Sequence, residues 1–304
     1  MVPDNYLKTK DTESFHQKLA RLAVFAMDME VSTTPKPGLV DLENNGSHSD
    51  MDHSMFLKSS ASLKSYFFEI AKISSRIPNP IVLPHLRNSG IEAEKRMLAA
   101  ANGVNTHKGL IFSMGLLVGI VSNYCSKKDI KITEEDFPQI RKQITLNTEG
   151  LVNEINIHTD THGHSAYKKH GVEGIRKEAS LGYPAVFLTG YPSIKKYLKY
   201  YSLNTTLVLT LLELIQVTED TNIIYRGGLD SLFKVRAMAK EILSQTHTHR
   251  QMDQVTPNVQ FESDLIQAVR KMDKELISLN LSPGGSADNL ALSIFLALIT
   301  GLIT

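Results

Sequence analysis

The hydrophobic positions of this chain recur with the period of an α-helix. Leu19, Leu22, Phe25, Ala26 and Met29 follow one another at steps of three and four residues, which is the spacing of one face of a helix. Convincing runs with a period of two residues are scarce, and the Val- and Ile-rich stretches are embedded in helical patterns. The pattern therefore predicts an all-α protein, and we expect a single multi-helix domain with about ten or more helices.

Helical patterning continues along most of the chain and is interrupted by polar connections. We expect one all-α domain over residues 16–304, preceded by a polar segment over residues 1–15. Pro78, Pro80 and Pro84 predict an irregular connection between two helices. Further helices are predicted near residues 55–73, 90–101, 106–125, 134–156, 193–201, 205–217, 229–244, 262–279 and 287–303.

The composition is ordinary for a soluble globular protein, with 42% hydrophobic and 21% charged residues. Lys and Arg number 33 against 32 Asp and Glu, so the chain lacks the basic excess that is typical of nucleic-acid binding. The single cysteine, Cys125, excludes an intramolecular disulfide and fits a reducing compartment. The apolar runs 109–121 and 290–304 are shorter than a membrane span and predict buried helices. We therefore expect a cytoplasmic protein with no nucleic-acid or membrane partner, while the oligomeric state stays open.

Five connections are long and polar, and they are rich in Gly, Asn, Asp, His and Lys. Function usually lies in loops that a rigid scaffold holds in position. We therefore expect these Gly/Asn/Asp-rich loops to form the active site. They cover residues 32–52, 103–109, 158–182, 220–228 and 282–289.

Several of these loops carry the features of a phosphate-binding pocket. Lys36 stands between two prolines that fix the backbone around it. Lys108 lies at the start of an apolar helix, where free N–H groups and the helix dipole attract anions. The spacings of a P-loop and of a Rossmann turn are absent, and each loop alone is also compatible with a surface turn or an ordinary capped helix. The candidates for binding phosphate or substrate are Lys36, Gly38, Asn45, Asn105, Thr106, Lys108, Gly109, Arg176, Asn222, Arg226, Gly227, Gly284, Gly285 and Ser286.

Acidic residues near these loops predict a Mg²⁺ site. Asp50 and Asp52 lie two residues apart at a predicted helix start, and Asp288 opens the last apolar helix. Carboxylate oxygens near phosphate are the ligands that Mg²⁺ uses in proteins. The alternatives are helix capping by Asp50 beside an exposed Asp52, and a favourable interaction of Asp288 with the helix dipole.

The loop over residues 158–182 adds candidate ligands and acid–base groups. His158 and His162 would share one face of a helix, but a closed zinc site needs about four ligands and no cysteine stands nearby. Polar loop histidines are the alternative for His158 and His164. Glu178 is a candidate to orient a hydroxyl or to bind Mg²⁺, with a surface salt bridge as the alternative.

The motifs of these loops, taken in order, resemble one enzyme family. They span about residues 20–300 and are similar to triphosphoribosyl-dephospho-CoA synthase, and the first three are the most specific. The second motif and the length resemble the branch that serves citrate lyase more than the branch that serves malonate decarboxylase. The family pattern has Gly where Lys177 stands and often His where Tyr225 stands, so the resemblance implies no role for these two positions. The motifs are TPKPGLVD (34–41), NNGSHSDMD (44–52), GVNTHKG (103–109), THG (161–163), GIRKEA (174–179), DTN (220–222), RGG (226–228) and SPGGSAD (282–288).

The resemblance implies an enzyme that transfers the triphosphoribosyl unit of ATP to the ribose 2′-hydroxyl of dephospho-CoA and releases adenine. ATP and dephospho-CoA would be the substrates and Mg²⁺ the cofactor, and the domain over residues 16–304 would be catalytic. The product would be the precursor of a prosthetic group. A separate holo-transferase would attach that group to the acyl carrier protein of citrate lyase.

Transfer of a glycosyl group also assigns expected roles. The oxocarbenium-like transition state needs a carboxylate near C1, and the proton transfers need an acid and a base. We expect the phosphates to be held by Lys36, Lys108, Arg176 and Arg226. The candidates for Mg²⁺ or for the C1-facing carboxylate are Asp41, Asp50, Asp52 and Asp288. The other catalytic candidates are His107 or His162 for proton transfer, and Glu178.

Two other functions fit the same pocket. A Mg²⁺-dependent hydrolase of nucleotides or ADP-ribose-type compounds would use water as the acceptor. A non-catalytic nucleotide-binding assembly factor would bind ATP without releasing adenine.

Overall fold

The computed structural model describes residues 14–78, 82–128, 132–151, 171–250 and 259–304. Every regular element within these ranges is helical, and no strand occurs among them, which confirms the all-α prediction. A 3₁₀ turn at Glu134–Asp136 leads into α6, and a π-helix at Ala185–Gly190 leads into α8. The α-helices are α1 (Phe15–Ser32), α2 (His53–Ser62), α3 (Lys64–Ser74), α4 (Val82–Ala100), α5 (Lys108–Lys128), α6 (Phe137–Asn147), α7 (Gly174–Ser180), α8 (Tyr191–Tyr197), α9 (Leu203–Val217), α10 (Thr221–Arg250), α11 (Val259–Ser278) and α12 (Gly284–Thr300).

Three apolar helices, α5, α9 and α12, form the centre of the fold. Helix α12 packs against α1, α9 and the π-helix, α5 packs against α3 and α4, and α9 packs against α8 and α10. Their buried side chains belong to one continuous hydrophobic cluster. Helix α5 is long and apolar enough to cross a membrane, but 83% of its apolar window is buried inside the protein. The two apolar runs therefore form core helices, as predicted.

Helix boundaries differ from the sequence-based prediction in three places. Helix α4 begins at Val82 and includes Pro84, because a proline in the first turn removes no intrahelical hydrogen bond. The helix predicted over residues 134–156 ends at Asn147. The helix predicted from residue 229 begins at Thr221, and Gly228 interrupts it with φ 78° and ψ −176°, angles that residues with a Cβ rarely adopt.

Polar side chains fix several helix starts. Ser14 caps α1 in a reciprocal arrangement with Gln17, and Ser202 caps α9 by accepting the backbone N–H of Thr205. Asp52 caps α2, where its Oδ1 accepts the backbone N–H of Met55 at 2.8 Å. Each cap satisfies a backbone donor that has no partner inside its helix.

Gly190→Ala is expected to lower the free energy of unfolding by about 1–3 kcal/mol, because overpacking a tight contact forces a local shift. A Cβ at this position of the π-helix would overlap the hydroxyl of Ser293 in α12. Urea unfolding measures the effect. The matched control is Gly90→Ala in α4, where a Cβ would meet only Ile111 Cγ2 at 3.8 Å, so stability should be kept or raised. Equal effects of the two substitutions would contradict the packing of the π-helix on α12.

Candidate active site

The loop over residues 33–52 folds around the buried carboxylate of Asp41. Its Oδ2 accepts the backbone N–H of Lys36 at 2.8 Å. Its Oδ1 accepts the backbone N–H groups of Glu43 at 2.7 Å and of Asn44 at 3.1 Å. With three backbone donors on one carboxylate, Asp41 holds the shape of the loop.

A buried ion pair joins this loop to α1. The ammonium group of Lys36 donates a short hydrogen bond to Glu30 Oε1. Lys36 is 2% exposed and Glu30 is 4% exposed. Burial raises the pKa of Glu30, while the charge of Lys36 acts in the opposite direction. Lys36, a predicted phosphate ligand, therefore lies deep in the protein with its charge partly offset.

Helices α10 and α11 hold the other side of the loop. In α11, the buried Asp273 accepts the backbone N–H of Gly38 at 2.8 Å. In α10, Arg226 donates to the carbonyl of Ser47 at 2.9 Å and to Asn280 Oδ1 at 2.9 Å. Gly38 and Arg226, both predicted to bind substrate, are thus engaged in fixing the loop.

The predicted ligands Asp50 and Asp52 lie at the protein surface. Asp52 caps α2, and the carboxylate of Asp50 lies 4.0 Å from Nδ1 of the partly buried His48. Asn45 and Gly227 are also exposed. Across the described ranges, no group of three or more His, Cys, Asp or Glu side chains is arranged to hold a metal ion.

The start of α5 is built from the third predicted loop motif. Asn105 Oδ1 accepts the backbone N–H of Lys108 at 3.1 Å and so caps the helix. Thr106 Oγ1 lies 2.6 Å from the hydroxyl of Ser59 in α2. The exposed ammonium of Lys108 pairs with Glu94 in α4 at 2.6 Å. The first turn of α5 is therefore fixed from two neighbouring helices.

His107 is buried at the same helix start and is neutral. Its Nδ1 lies 2.7 Å from the hydroxyl of Ser59, and Phe56 packs edge-on against the ring. Burial, helped by the charge of Lys36, lowers the pKa of His107 to about 3. Its Nε2 is buried and has no hydrogen-bond partner among the described residues. A neutral ring with a spare nitrogen can hydrogen-bond a ligand, but it cannot deliver a proton as imidazolium near pH 7.

Asp220 joins the starts of α10 and α12. Its Oδ2 accepts the backbone N–H of Ser286 at 2.8 Å and the Ser286 hydroxyl at 3.0 Å. Its Oδ1 accepts the backbone N–H of Asn222 at 3.1 Å. A Cβ at Gly284 would lie only 2.5 Å from Asn222 Nδ2, so the two helix starts touch. Ser286, a predicted phosphate ligand, is engaged by Asp220, and Gly285 lies against the same carboxylate.

Asp288 brings the start of α12 against the start of α5. A Cβ at Gly109 would overlap Asp288 Oδ2, so glycine is needed for this close approach. No described residue forms a hydrogen bond or ion pair with the Asp288 carboxylate. Burial raises its pKa well above the usual value of 3.8, and the charges of Glu30 and Asp220 raise it further. Asp288 is therefore a carboxylate held in place by packing and available to a ligand.

The interior around these helix starts has an excess of acidic groups. The charges of Glu30 and Asp220 act on Asp288, and Lys36, paired with Glu30, is the buried cation among the described residues. Burial raises the pKa of all three carboxyl groups, and a bound divalent cation would stabilise their charged forms. Mg²⁺ normally uses only one or two protein carboxylates together with phosphate oxygens. The residues present therefore fit a Mg²⁺ ion that is shared with a bound phosphate compound.

Helix α7 supplies two more predicted residues. The partly buried Glu178 accepts the backbone N–H of Ala185 at 3.3 Å through Oε2, and burial raises its pKa. Arg176 is partly buried, and it pairs with no residue that the structure describes. A Cβ at Gly174 would lie 2.7 Å from the side chain of Thr221, so α7 abuts the start of α10. His162, with His158 and His164, lies outside the described residues.

Sequence reasoning missed three groups of this site. Glu30 carried a signal, because it occupies the apolar face of α1 at three and four residues beyond the buried Met27 and Ala26. Asp220 was part of a recognised motif but was given no role. Tyr183 is a fully buried tyrosine between α7 and the π-helix, and no periodicity or motif singled it out.

Comparison with known proteins adds independent information. Residues 16–303 match the CitG family, described as ATP:dephospho-CoA triphosphoribosyl transferase. The chain is 36% identical to a probable 2-(5''-triphosphoribosyl)-3'-dephosphocoenzyme-A synthase of Vibrio cholerae, over 92% of this chain and 87% of that protein. A protein of the same name from Streptococcus equi subsp. equi is 33% identical, over 95% of this chain and 98% of the relative. Protein CitXG of Haemophilus influenzae is 33% identical over 97% of this chain, which spans only 63% of that longer protein. No solved structure matches the chain.

The neutral, buried His107 predicts a specific pH dependence of stability. Its pKa is about 3 in the folded protein against a usual 6.5, so between these values the unfolded chain binds the extra proton. This histidine should therefore destabilise the fold as pH falls from 6.5 toward 3, by up to about 1.4 kcal/mol per pH unit.

His107→Gln should remove that slope, so the difference in unfolding free energy between wild type and variant should shift in favour of the variant as the solution is acidified. Denaturant unfolding at several pH values measures it. Parallel stability curves for the two proteins would contradict a neutral, buried imidazole.

Proposed function

The chain belongs to the CitG family of ATP:dephospho-CoA triphosphoribosyl transferases, and we propose that its domain over residues 16–304 binds both substrates where α1, α5, α10 and α12 meet. The family activity transfers the triphosphoribosyl group of ATP to dephospho-CoA. The single observation that carries the placement is the contact of Asp288 with Gly109. It puts an available carboxylate at the first turn of a long helix, where the dipole favours phosphate.

The triphosphate is proposed to lie against the first turn of α5. Asn105, Thr106 and Gly109 shape that turn, and Lys108 adds a positive charge that its exposed pair with Glu94 offsets only weakly. Arg176, which is unpaired among the described residues, is proposed to approach the triphosphate from α7. An arginine can bind two phosphate oxygens at once. Lys36, Arg226 and Ser286 contribute by fixing the surrounding loops, because their polar groups are already engaged.

Mg²⁺ is proposed to bind at Asp288, with Glu30 as the neighbouring carboxylate. When bound, it would offset the negative charge of the triphosphate and fix the position of its oxygens. The surface residues Asp50 and Asp52 are proposed to have structural roles instead. Asp41 likewise acts on the loop backbone.

Glu178 is proposed as the base that accepts the proton of the attacking 2′-hydroxyl. Its Oε2 is held by the N–H of Ala185 at 3.3 Å, which leaves Oε1 for substrate. Because burial raises the pKa of Glu178, this carboxylate is a stronger base than an exposed one. His107 is proposed to hydrogen-bond the substrate as a neutral ring, and His162 remains a candidate for proton transfer.

The product is proposed to serve as the precursor of the prosthetic group of citrate lyase. The proposed partners are the acyl carrier protein of that enzyme and the transferase that loads it. Support comes from the second sequence motif, which resembles the branch of the family that serves citrate lyase. A cytoplasmic location agrees with these soluble substrates.

The proposed reaction is tested by incubating the purified protein with ATP and Mg²⁺, with and without dephospho-CoA. Free adenine is measured by chromatography and the adduct by mass spectrometry. Adenine and a triphosphoribosyl adduct should appear in equal amounts, and only when dephospho-CoA is present. Adenine without the acceptor would indicate hydrolysis, and bound ATP without any adenine would indicate a binding protein.

Asp288→Asn is expected to lower kcat/KM by about 10–100-fold and to raise the Mg²⁺ concentration needed for half-maximal rate, because a carboxylate beside the metal is lost. Steady-state rates at a series of Mg²⁺ concentrations measure both effects. Asp52→Ala is the comparison variant. It should cost about 1 kcal/mol of stability through the lost cap and leave the Mg²⁺ dependence unchanged. The opposite pattern would place the metal at the α2 start.

Arg176→Gln is expected to raise the KM for ATP by about tenfold, because a charge-assisted hydrogen bond to phosphate is worth about 1.5–3 kcal/mol. The adjacent Lys177→Gln is a matched control that removes the same charge one residue away. Lys177 pairs with Glu219 at 3.4 Å on the surface, so its loss should leave the KM unchanged. An equal rise of the KM in both variants would show that the loss of any positive charge near the site, rather than of a direct contact between Arg176 and phosphate, weakens ATP binding.

A further inference from the structure

Tyr183 has a buried hydroxyl that lacks a hydrogen-bond partner among the residues that the structure describes. The side chain is fully buried, and no described residue pairs with its oxygen. Burying a hydroxyl without a partner costs free energy, so such groups in native proteins call for an explanation. A hydrogen bond to bound substrate is one such explanation, and the neighbourhood of Tyr183 supports it.

The backbone of Tyr183 is held in an unusual conformation. Its φ of 50° lies in the left-handed region, which is a rare state for a residue with a bulky side chain. The Tyr183 N–H donates to the carbonyl of Glu178 at 2.7 Å, and the Tyr183 carbonyl accepts the N–H groups of Val186 and Phe187 at 3.1 Å. Arg141 Nε also donates to the carbonyl of Gly182 at 3.1 Å. Strain that is held by so many contacts is typical of functional positions.

The hydroxyl of Tyr183 is within electrostatic range of two groups of the proposed site. The carboxylates of Glu178 and Asp288 both act electrostatically on it. The π-helix that follows Tyr183 packs against α12, the helix that carries Asp288, and short π-helices often occur at functional sites. Tyr183 therefore lies, along the chain, between the helix that carries the proposed base and the π-helix that packs on α12.

Other buried tyrosines of the protein differ in this respect. The hydroxyl of Tyr66 donates to the carbonyl of Ile111 at 2.9 Å, and that of Tyr197 donates to Glu213 Oε1 at 2.6 Å. Both are as deeply buried as Tyr183. The fold can thus satisfy a buried phenol, yet no described residue satisfies that of Tyr183.

We propose that the Tyr183 hydroxyl donates a hydrogen bond to the adenine ring of ATP as that base departs. This inference rests on the proposed function of the site. It assigns Tyr183 to the leaving base, whereas the proposed function assigns Glu178 to the attacking hydroxyl and Lys108 and Arg176 to the triphosphate.

The chemistry requires such a donor. The bond between C1 of the ribose and N9 of adenine breaks, and its electron pair moves to the base. The bond from C1 to the 2′-oxygen of dephospho-CoA forms, and the hydroxyl proton lost there balances the proton that adenine gains. While negative charge grows on the purine, a fixed donor stabilises it more than it stabilises bound ATP.

The phenol is suited to donate without losing its proton. Burial and the nearby carboxylates raise the pKa of Tyr183 well above its usual value. The phenol thus stays neutral throughout the reaction. The proton that the 2′-hydroxyl loses to Glu178 and the proton that adenine gains balance each other without it.

Tyr183→Phe tests the proposal, because it removes only the hydroxyl. The rate of adenine release in a single turnover should fall by about 100-fold, while the Kd for ATP stays within about twofold of wild type, since the bond forms only as the base leaves. The thermal midpoint should be equal to or higher than that of wild type, because an unsatisfied buried group is gone. Tyr66→Phe, which removes a hydroxyl that has a partner, should lower the thermal midpoint and so calibrates the stability measurement.

Three results would overturn this assignment. An unchanged rate of adenine release would show that the hydroxyl is idle. A weaker Kd for ATP at an unchanged rate would place its contact in the ground state. A lower thermal midpoint together with the slower rate would mean that the hydroxyl supports the fold. Failure of the proposed function itself would be seen first in the wild-type protein, as no transfer to dephospho-CoA.

Discussion

The site depends on the carboxylate of Asp220, which is buried between two helix starts. It accepts hydrogen bonds from the N–H of Asn222 in α10 and from the N–H and hydroxyl of Ser286 in α12. Both helices direct the positive ends of their dipoles at this carboxylate. One negative charge therefore satisfies donors that two separate helices would otherwise leave unpaired. The position of Asp288, one turn into α12, follows from this junction.

Holding the helix starts with acids has an electrostatic consequence. Asp220, Asp288 and Glu30 share a poorly solvated region, and each raises the pKa of Asp288 or has its own pKa raised by burial. Lys36 offsets part of this charge through its contact with Glu30. The remaining acidic character suits a ligand that brings cations with it, which a triphosphate does when it binds as its Mg²⁺ complex. The same buried acids thus hold the helix starts together and make the surroundings of the proposed site acidic.

Two buried polar groups lower the stability of the protein without ligand. Nε2 of His107 and the hydroxyl of Tyr183 are both buried without partners among the described residues, although their neighbours are well satisfied. Each costs free energy in the protein without ligand. Charged groups of the proposed site act electrostatically on each: Lys36 on His107, and Asp288 and Glu178 on Tyr183. In the proposed substrate complex both groups gain partners, which would favour binding and catalysis at the expense of the free fold.

The sequence by itself determined the fold class and the family. The 3.6-residue period of apolar positions predicted helices, and motifs such as those at 34–41 and 103–109 indicated the family. Both could be predicted because periodicity and turn chemistry are local properties of the chain. The assignment of individual residues to the site stays a prediction.

The division of roles within those loops was decided only by the tertiary structure. Asp41, Arg226 and Ser286 fix the loops and helix starts, whereas Asp288 has no partner among the described residues. The sequence motifs suggested a direct role in ligand binding or catalysis for all four. Glu30 and Tyr183 gained their significance from burial beside groups that are distant in sequence. A polar side chain is structural or available according to whether donors reach it across the fold. That depends on long-range packing, which no local pattern specifies.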